Sequence, residues 1–263
     1  MTIVIAANTP STEKPTLLIE NILTEGDLTV SSETSDGAGL NALSDTTFDF
    51  WTPSATNARL DVDMGEAVTC DAVGIAAHTL GTDGASFRVR SSNTGFTDLT
   101  TRIDHSPLTD DTIIGLFQSV SARYWRFQIY NGPASIGVVK IGKRVIVPTG
   151  VLLGHVGANH GERIELLSND SINGQFLGTR VIRRSAEINI DFGLVSKEFV
   201  ENDLAMFEYN YNQGRTFFYA GSPANLPNDI GYCKRPSASQ ELRPNYEGGD
   251  LMQLDFEAQV YVG

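Results

Sequence analysis

The stretch from Ser121 to Ile129, Ser-Ala-Arg-Tyr-Trp-Arg-Phe-Gln-Ile, constrains the fold more than any other part of the chain. Ala122, Tyr124, Phe127 and Ile129 are expected on one face. Arg123, Trp125, Arg126 and Gln128 fall mostly on the other, with a break in register at Trp125-Arg126-Phe127. A period of two marks a half-buried antiparallel strand. About sixty residues earlier Leu60, Val62 and Met64 alternate with Asp61 and Asp63, as a strand with one face in a sandwich core would. Phe87 and Val89 alternate likewise with Arg88 and Arg90. On an outer face Asp61 and Asp63 would pair with Arg88 and Arg90, or with Arg123 and Arg126. Such cross-strand pairs are worth little at a surface, so these charges read as scaffold.

Strand signals of this kind recur every eight to twelve residues or so, as at Ala72-Val-Gly-Ile-Ala-Ala, Gly137-Val-Val-Lys-Ile, Arg180-Val-Ile-Arg-Arg, Glu187-Ile-Asn-Ile-Asp-Phe and Leu254 to Val262. They are short, β-branched or aromatic, and punctuated by Gly, Asn, Asp and Pro. The pattern predicts an all-β protein built of sandwiches or barrels. One helix is expected from Ser196, which would cap its first turn while Glu198 complements the dipole. Phe199, Leu204 and Phe207 form its core stripe.

The chain has 263 residues, enough for two ordinary domains. Val147-Pro-Thr-Gly150 ends one strand pattern before another begins, giving an N-terminal arm at 1–34, a first domain at 35–147 and a second at 148–263. The arm resembles neither half, and the sequence leaves open whether it packs on a neighbour or is a disordered tail.

Charged residues make up 19% and the net charge is −13, with seventeen acids against ten bases up to Val145 and fifteen against nine beyond it. An even acidic balance argues against nucleic acid or an anionic membrane as partners, since both need a clustered basic face. No segment has the run of apolar residues a membrane span needs. The N-terminal stretch lacks the basic and apolar regions of a secretory leader, which predicts synthesis in the cytoplasm. Cys70 and Cys233 lie far apart, outside disulfide-framework or metal-ligand spacing. His155 and His160, in a Gly-rich loop, lack the helical zinc spacing. No nucleophile elbow or phosphate loop occurs and no carboxylate pair is marked as glycosidic, so catalysis is not expected.

Residues 35 to 146 resemble the discoidin family, also called coagulation factor 5/8 C-type domains, a β jelly roll common among carbohydrate-binding modules. The resemblance rests, in order, on Asp49-Phe-Trp51, Arg59 to Gly65, Ala72-Val-Gly-Ile-Ala with His78 beyond it, Phe87 to Ser92, Ala122 to Phe127, and Ile136 to Gly142. The disulfide that many members carry is absent. The resemblance implies ligand binding on loops at one end, here Asn41 to Phe50, His78 to Gly84 and Asn131 to Ser135. Asn41, Asp45, Phe48, His78 and Tyr130 supply the aromatic and planar polar groups sugar recognition needs. Phe48 and Trp51 as core aromatics are the competing reading. No cofactor is implied, and calcium near Thr82-Asp-Gly84 would need oxygens from several loops.

From Gly150 onward the chain resembles tail-component domains of long-tailed bacteriophages, of the tube and distal-tail kind. The resemblance rests on Ser171 to Arg180, Glu187 to Gly193 followed by the helix, Arg215 to Gly221 and Gly231-Tyr-Cys233. It implies a homo-oligomeric ring of threes or sixes closing through complementary surfaces. Phe217, Phe218, Tyr219, Leu226 and Tyr232 are candidate anchors. Alternatively Phe217 and Tyr219 face the core with Phe218 alone outside. Together the halves predict a virion tail protein, at the distal tail or baseplate, with host-surface glycans and other tail proteins (tube, hub) as partners. The alternative is a free-standing lectin or an accessory module of a polysaccharide-degrading system.

Overall fold

A computed structural model describes residues 1–263, the side chain of Arg183 excepted. The strands of its first part are β1 (Thr2–Ile5), β2 (Thr16–Leu18), β3 (Asp27–Val30), β4 (Ala58–His78), β5 (Ser86–Ser92), β6 (Thr100–His105), β7 (Ile113–Tyr130), β8 (Ile136–Gly142) and β9 (Val145–Ile146). There follow β10 (Glu162–Asp170), β11 (Phe176–Ser196), β12 (Phe217–Ala220), β13 (Ile230–Lys234), β14 (Asn245–Gly248) and β15 (Leu251–Val260). Between β11 and β12 runs a helical segment of α1 (Lys197–Phe199), a π-helical turn (Val200–Leu204) and α2 (Ala205–Asn212). The molecule is all-β apart from this segment and short 3-10 turns. No helix among the described residues is long and apolar enough to cross a membrane.

The long strands β4 and β7 build the first module. Their register breaks between Asp63 and Val68 and between Cys70 and Ala72, and bulges of this kind let a strand bend from one layer into another. Leu60 to Asp63 pairs with β3, and the facing end of β7 pairs with β5, which carries β6. The later part of β4 pairs with β8, while the start of β7 pairs in parallel with β1. The two layers enclose one apolar core, with Leu60, Val62, Phe87 and Phe127 from one and Val73, Ile75, Ile113 and Val139 from the other. This is the predicted jelly-roll sandwich.

The Ser121 to Ile129 strand forms, but its faces differ from expectation. Trp125 is fully buried beside Phe127 and Ile129, while Tyr124, Arg126 and Gln128 point the other way. The break in period falls between Ala122 and Trp125. A ring of that size anchors the core, and its indole nitrogen donates to the Ala122 carbonyl at 2.9 Å. The ion pairs also differ. Arg126 meets Asp61 bidentately at 2.5 and 2.7 Å in a buried setting, not a surface one. Arg123 holds Asp63 at 2.6 and 2.8 Å, half exposed.

The second sheet has the order β10-β11-β15-β13-β12-β2-β9, with β14 beside β15. Its last two strands come from outside the 148–263 region. β2 belongs to the segment expected as an arm, and β9 ends the first module. The helical segment covers one face, with Phe199, Leu204, Phe207 and Tyr211 packed on Phe192, Phe217 and Phe256. The Ser196 hydroxyl caps it, accepting from the Phe199 N–H at 3.3 Å.

A third apolar layer joins the modules. Phe217 and Tyr219 face the second core as their alternation requires, but Phe218 is also fully buried, against Gly74, Ala76, Ile114 and Val138. A Cβ at Gly74 would lie 2.3 Å from the Phe218 ring. Residues 1–34 are distributed over both modules, β1 and β3 in the first sheet and β2 in the second.

Candidate functional site

Two of the three loops expected to carry ligand contacts, His78 to Gly84 and Asn131 to Ser135, meet at one end of the sandwich, beside Trp51 and Thr52 just beyond the third. Trp51 exchanges backbone hydrogen bonds with Ile136, and the Thr52 and Ser135 hydroxyls are 3.1 Å apart. The Ser135 N–H donates to the Thr79 hydroxyl at 2.9 Å, and that hydroxyl donates to Asp83 at 2.5 Å. Asp110 closes the neighbouring turn by accepting from the Gly81 and Thr82 N–H groups and from the Thr82 hydroxyl. Its carboxyl is lowered by these bonds despite partial desolvation. Thr52, Thr79, Asp83 and Ser135 thus form a polar cluster, of which the sequence marks only Asp83, as a candidate cation ligand. Only backbone pairing brings them together, so no local motif could have marked the cluster.

The five candidate side chains do not converge there. Asn41 donates its amide to the Phe50 carbonyl at 3.0 Å and serves as a strut of its own loop. His78 is buried. Its Nδ1 accepts from the Leu80 N–H at 3.3 Å, which leaves Nε2 as the donor to the Asp111 carbonyl at 2.8 Å. Burial lowers its pKa, only partly opposed by Asp110 and Asp111. His78 is therefore a neutral support beneath the loops rather than a face open to a ligand. Tyr130 lies on the outer face of the sheet, its hydroxyl bonded to Asp104 and the Arg88 guanidinium 4.4 Å from its ring centre.

Asp45 and Phe48 lie elsewhere, on the loop that reaches from the first module to the second. The buried Lys140 ammonium contacts Asp45 at 2.9 Å and donates to the Thr216 carbonyl at 2.7 Å. The Thr216 N–H reaches the same carboxylate at 3.4 Å, and the Tyr232 hydroxyl donates to the Asp45 carbonyl at 3.0 Å. Burial alone would raise the Asp45 carboxyl, but Lys140 and Thr216 outweigh it and hold it low. Three residues on, Phe48 is 74% exposed, not a core aromatic, whereas Trp51 is fully buried. Phe48 stands at the mouth of a cleft of about 460 Å³ between the modules, whose other wall includes Arg184, Tyr232, Lys234 and Gln259.

The most exposed element is the hairpin of β10 and the first half of β11. Every residue of β10 is exposed, and β11 has no partner besides β10 until β15 joins it at Ala186. Ile164, Leu166, Leu167, Phe176 and Leu177 are all about half exposed or more. In contrast, Phe217, Phe218, Tyr219 and Tyr232, the expected ring anchors, are buried within the chain, and of that set Leu226 alone is open. The burial of Phe218 and Tyr232 corrects the expectation, because the first module itself occupies the face they were to present.

Comparison with protein-family models finds no match, and no curated protein matches the chain. About half of the chain is similar to solved carbohydrate-binding modules. Chitosan-binding module 1 from the chitosanase/glucanase of Paenibacillus sp. IK-5 shares 17% identity, over 46% of this chain and 98% of that one, at a TM-score of 0.39. A Clostridium perfringens module, CpGH89CBM32-6, shares 21% over 47% of this chain and 99% of its own, at 0.41. The family 32 module of C. perfringens NanJ, solved with galactose, shares 16% over 48% and 98%, at 0.40.

Proposed function

We propose that this chain is a non-catalytic structural component of a bacteriophage tail, at the distal tail or baseplate, whose jelly-roll module attaches to host-surface glycans and whose second module assembles copies into a ring. The observation that carries the reading is the 162–182 hairpin. An isolated two-stranded ribbon is marginal in water, and exposed strand edges with apolar side chains are templates for pairing with another chain. A heterologous contact through such edges closes into a ring when its rotation permits. Ring formation would gather several weak sugar sites, and linked sites raise avidity by roughly 10²–10⁴.

Sedimentation velocity on the full chain tests this reading. Discrete oligomers are expected, and shortening the hairpin by replacing residues 166–180 with Asn-Gly should leave a folded monomer. A full chain that stays monomeric at high concentration, also with tail tube and hub proteins added, would overturn the assembly role. A glycan array on the same protein addresses attachment, and silence across all host polysaccharides would reduce the first module to a spacer.

A further inference from the structure

We propose that the cleft between the two modules is a second saccharide site, distinct from the loop end of the jelly roll, and that it selects sugars bearing a carboxylate. The proposal rests on the reading of the chain as a glycan-attachment protein and names a place and a ligand class for it. At about 460 Å³ the cleft lies within the usual range of small-ligand sites.

Phe48 is the first support. A ring left 74% exposed is ordinarily mobile, but this one stands on a loop fastened across the module boundary. Asp45 is held from three directions by Lys140, Thr216 and Tyr232, and the Ser44 and Thr46 hydroxyls bond to each other at 2.7 Å. The loop that carries the aromatic ring is thus anchored three residues before it, which lowers the backbone ordering cost of binding. Such a face takes up the apolar side of a pyranose ring.

Charge supplies the second support. Arg184 and Lys234 line the cleft from β11 and β13, in a chain whose net charge is −13. Asp45 is taken up by Lys140 and Glu162 lies 3.6 Å from Arg184, so among the described residues Lys234 is the lining cation without a carboxylate partner. Lys234 therefore presents an unpaired ammonium to a ligand, and the Arg184 guanidinium, near Glu162 through one nitrogen, keeps further N–H groups for a carboxylate. Ser185 and Gln259 also line the cleft, with hydroxyl and amide groups for ring hydroxyls. An aromatic platform beside an unpaired ammonium matches a uronic acid better than a neutral hexose.

The test titrates the full chain with a trigalacturonate and with its neutral galactose counterpart, by calorimetry at low and high salt. The expected result is at least about tenfold tighter binding of the acidic sugar, weakening with salt. Phe48→Ala and the double change Arg184→Ala/Lys234→Ala should each weaken it about tenfold with the melting temperature unchanged. Equal binding of the two sugars, or acidic-sugar binding that ignores Phe48→Ala, overturns the proposal. So does a Phe48→Ala effect on oligomer size alone, which would make the cleft a contact between copies. If the neutral sugar binds and the acidic one does not, the cleft proposal fails and the attachment reading stands; if no glycan of any kind binds, both fail.

Discussion

Gly74 has no side chain because the Phe218 ring occupies the place where one would begin. Gly74→Ala would push that ring back into a close-packed layer, where overpacking costs about 1–3 kcal/mol. A melting temperature lowered by about 2–4 °C per kcal/mol is expected by calorimetry, and an unchanged value would contradict the packing described. Asp45 makes a comparable demand, since Asp45→Ala strands a buried ammonium. Removing one partner of a fully buried pair costs about 3–5 kcal/mol, and roughly 2 is expected here because Asp45 keeps some contact with water. Lys140→Met in the same background should recover much of the loss.

His155 is set differently. Its Nε2 lies 2.9 Å from Asp229 and its Nδ1 lies 3.3 Å from the Asn189 carbonyl. Both partners accept, so the ring satisfies both only as the imidazolium, and the Asp229 bond raises its pKa above the ordinary 6.5 despite burial. A folded value above the unfolded one stabilises fully below about pH 6.5 and is lost as pH rises through the folded value. The stability gap between the wild type and His155→Gln should therefore shrink from about pH 6 to pH 8 in denaturant melts. A gap that widens instead would refute the imidazolium assignment.

At the scale of elements, legibility followed the source of each element's order. The helical segment could be read from Ser196 and the Phe199, Leu204, Phe207 stripe, because a cap and a single buried face are local properties. Its π-helical turn at Val200–Leu204 could not, since nothing in Val-Glu-Asn-Asp-Leu departs from an α-helical pattern. β4 and β7 were legible wherever one face met the core, yet Trp125 was misassigned because a large ring with a polar nitrogen suits either face until its neighbours are known. In the hairpin only Arg180-Val-Ile-Arg-Arg carries a strand signal. With both faces open, Ile164, Leu166 and Leu167 need not alternate, so its length emerged only from the pairing of β10 with β11. The candidate site divided in the same way. The loops were placed by resemblance, whereas the cleft beside Phe48 needs contacts between residues 171 and more positions apart, such as Thr216 with Asp45. Such contacts leave no local trace.

The whole molecule is tied together by its first thirty residues. β1 and β3 complete the first sheet, while β2 lies between β12 and β9 in the second. Arg144, buried between them, bonds Asp71 and the Pro10 carbonyl. Deleting residues 1–26 should therefore lower the stability of both modules together, seen as one early unfolding transition instead of the loss of a loose tail; an unaffected melt would contradict this. The same threading bears on how the chain is made. Leu18 pairs with Phe218, so β2 must wait for a strand that emerges some two hundred residues after it. Synthesis at about 5–20 residues per second makes that wait roughly ten seconds or more. Leu17 meets β9 sooner, at Val145, but the edge of β2 that takes β12 stays open throughout. The junction that holds the modules in register therefore forms only once β12 has been made, and a nascent chain halted before Phe217 would have a jelly roll without its seal.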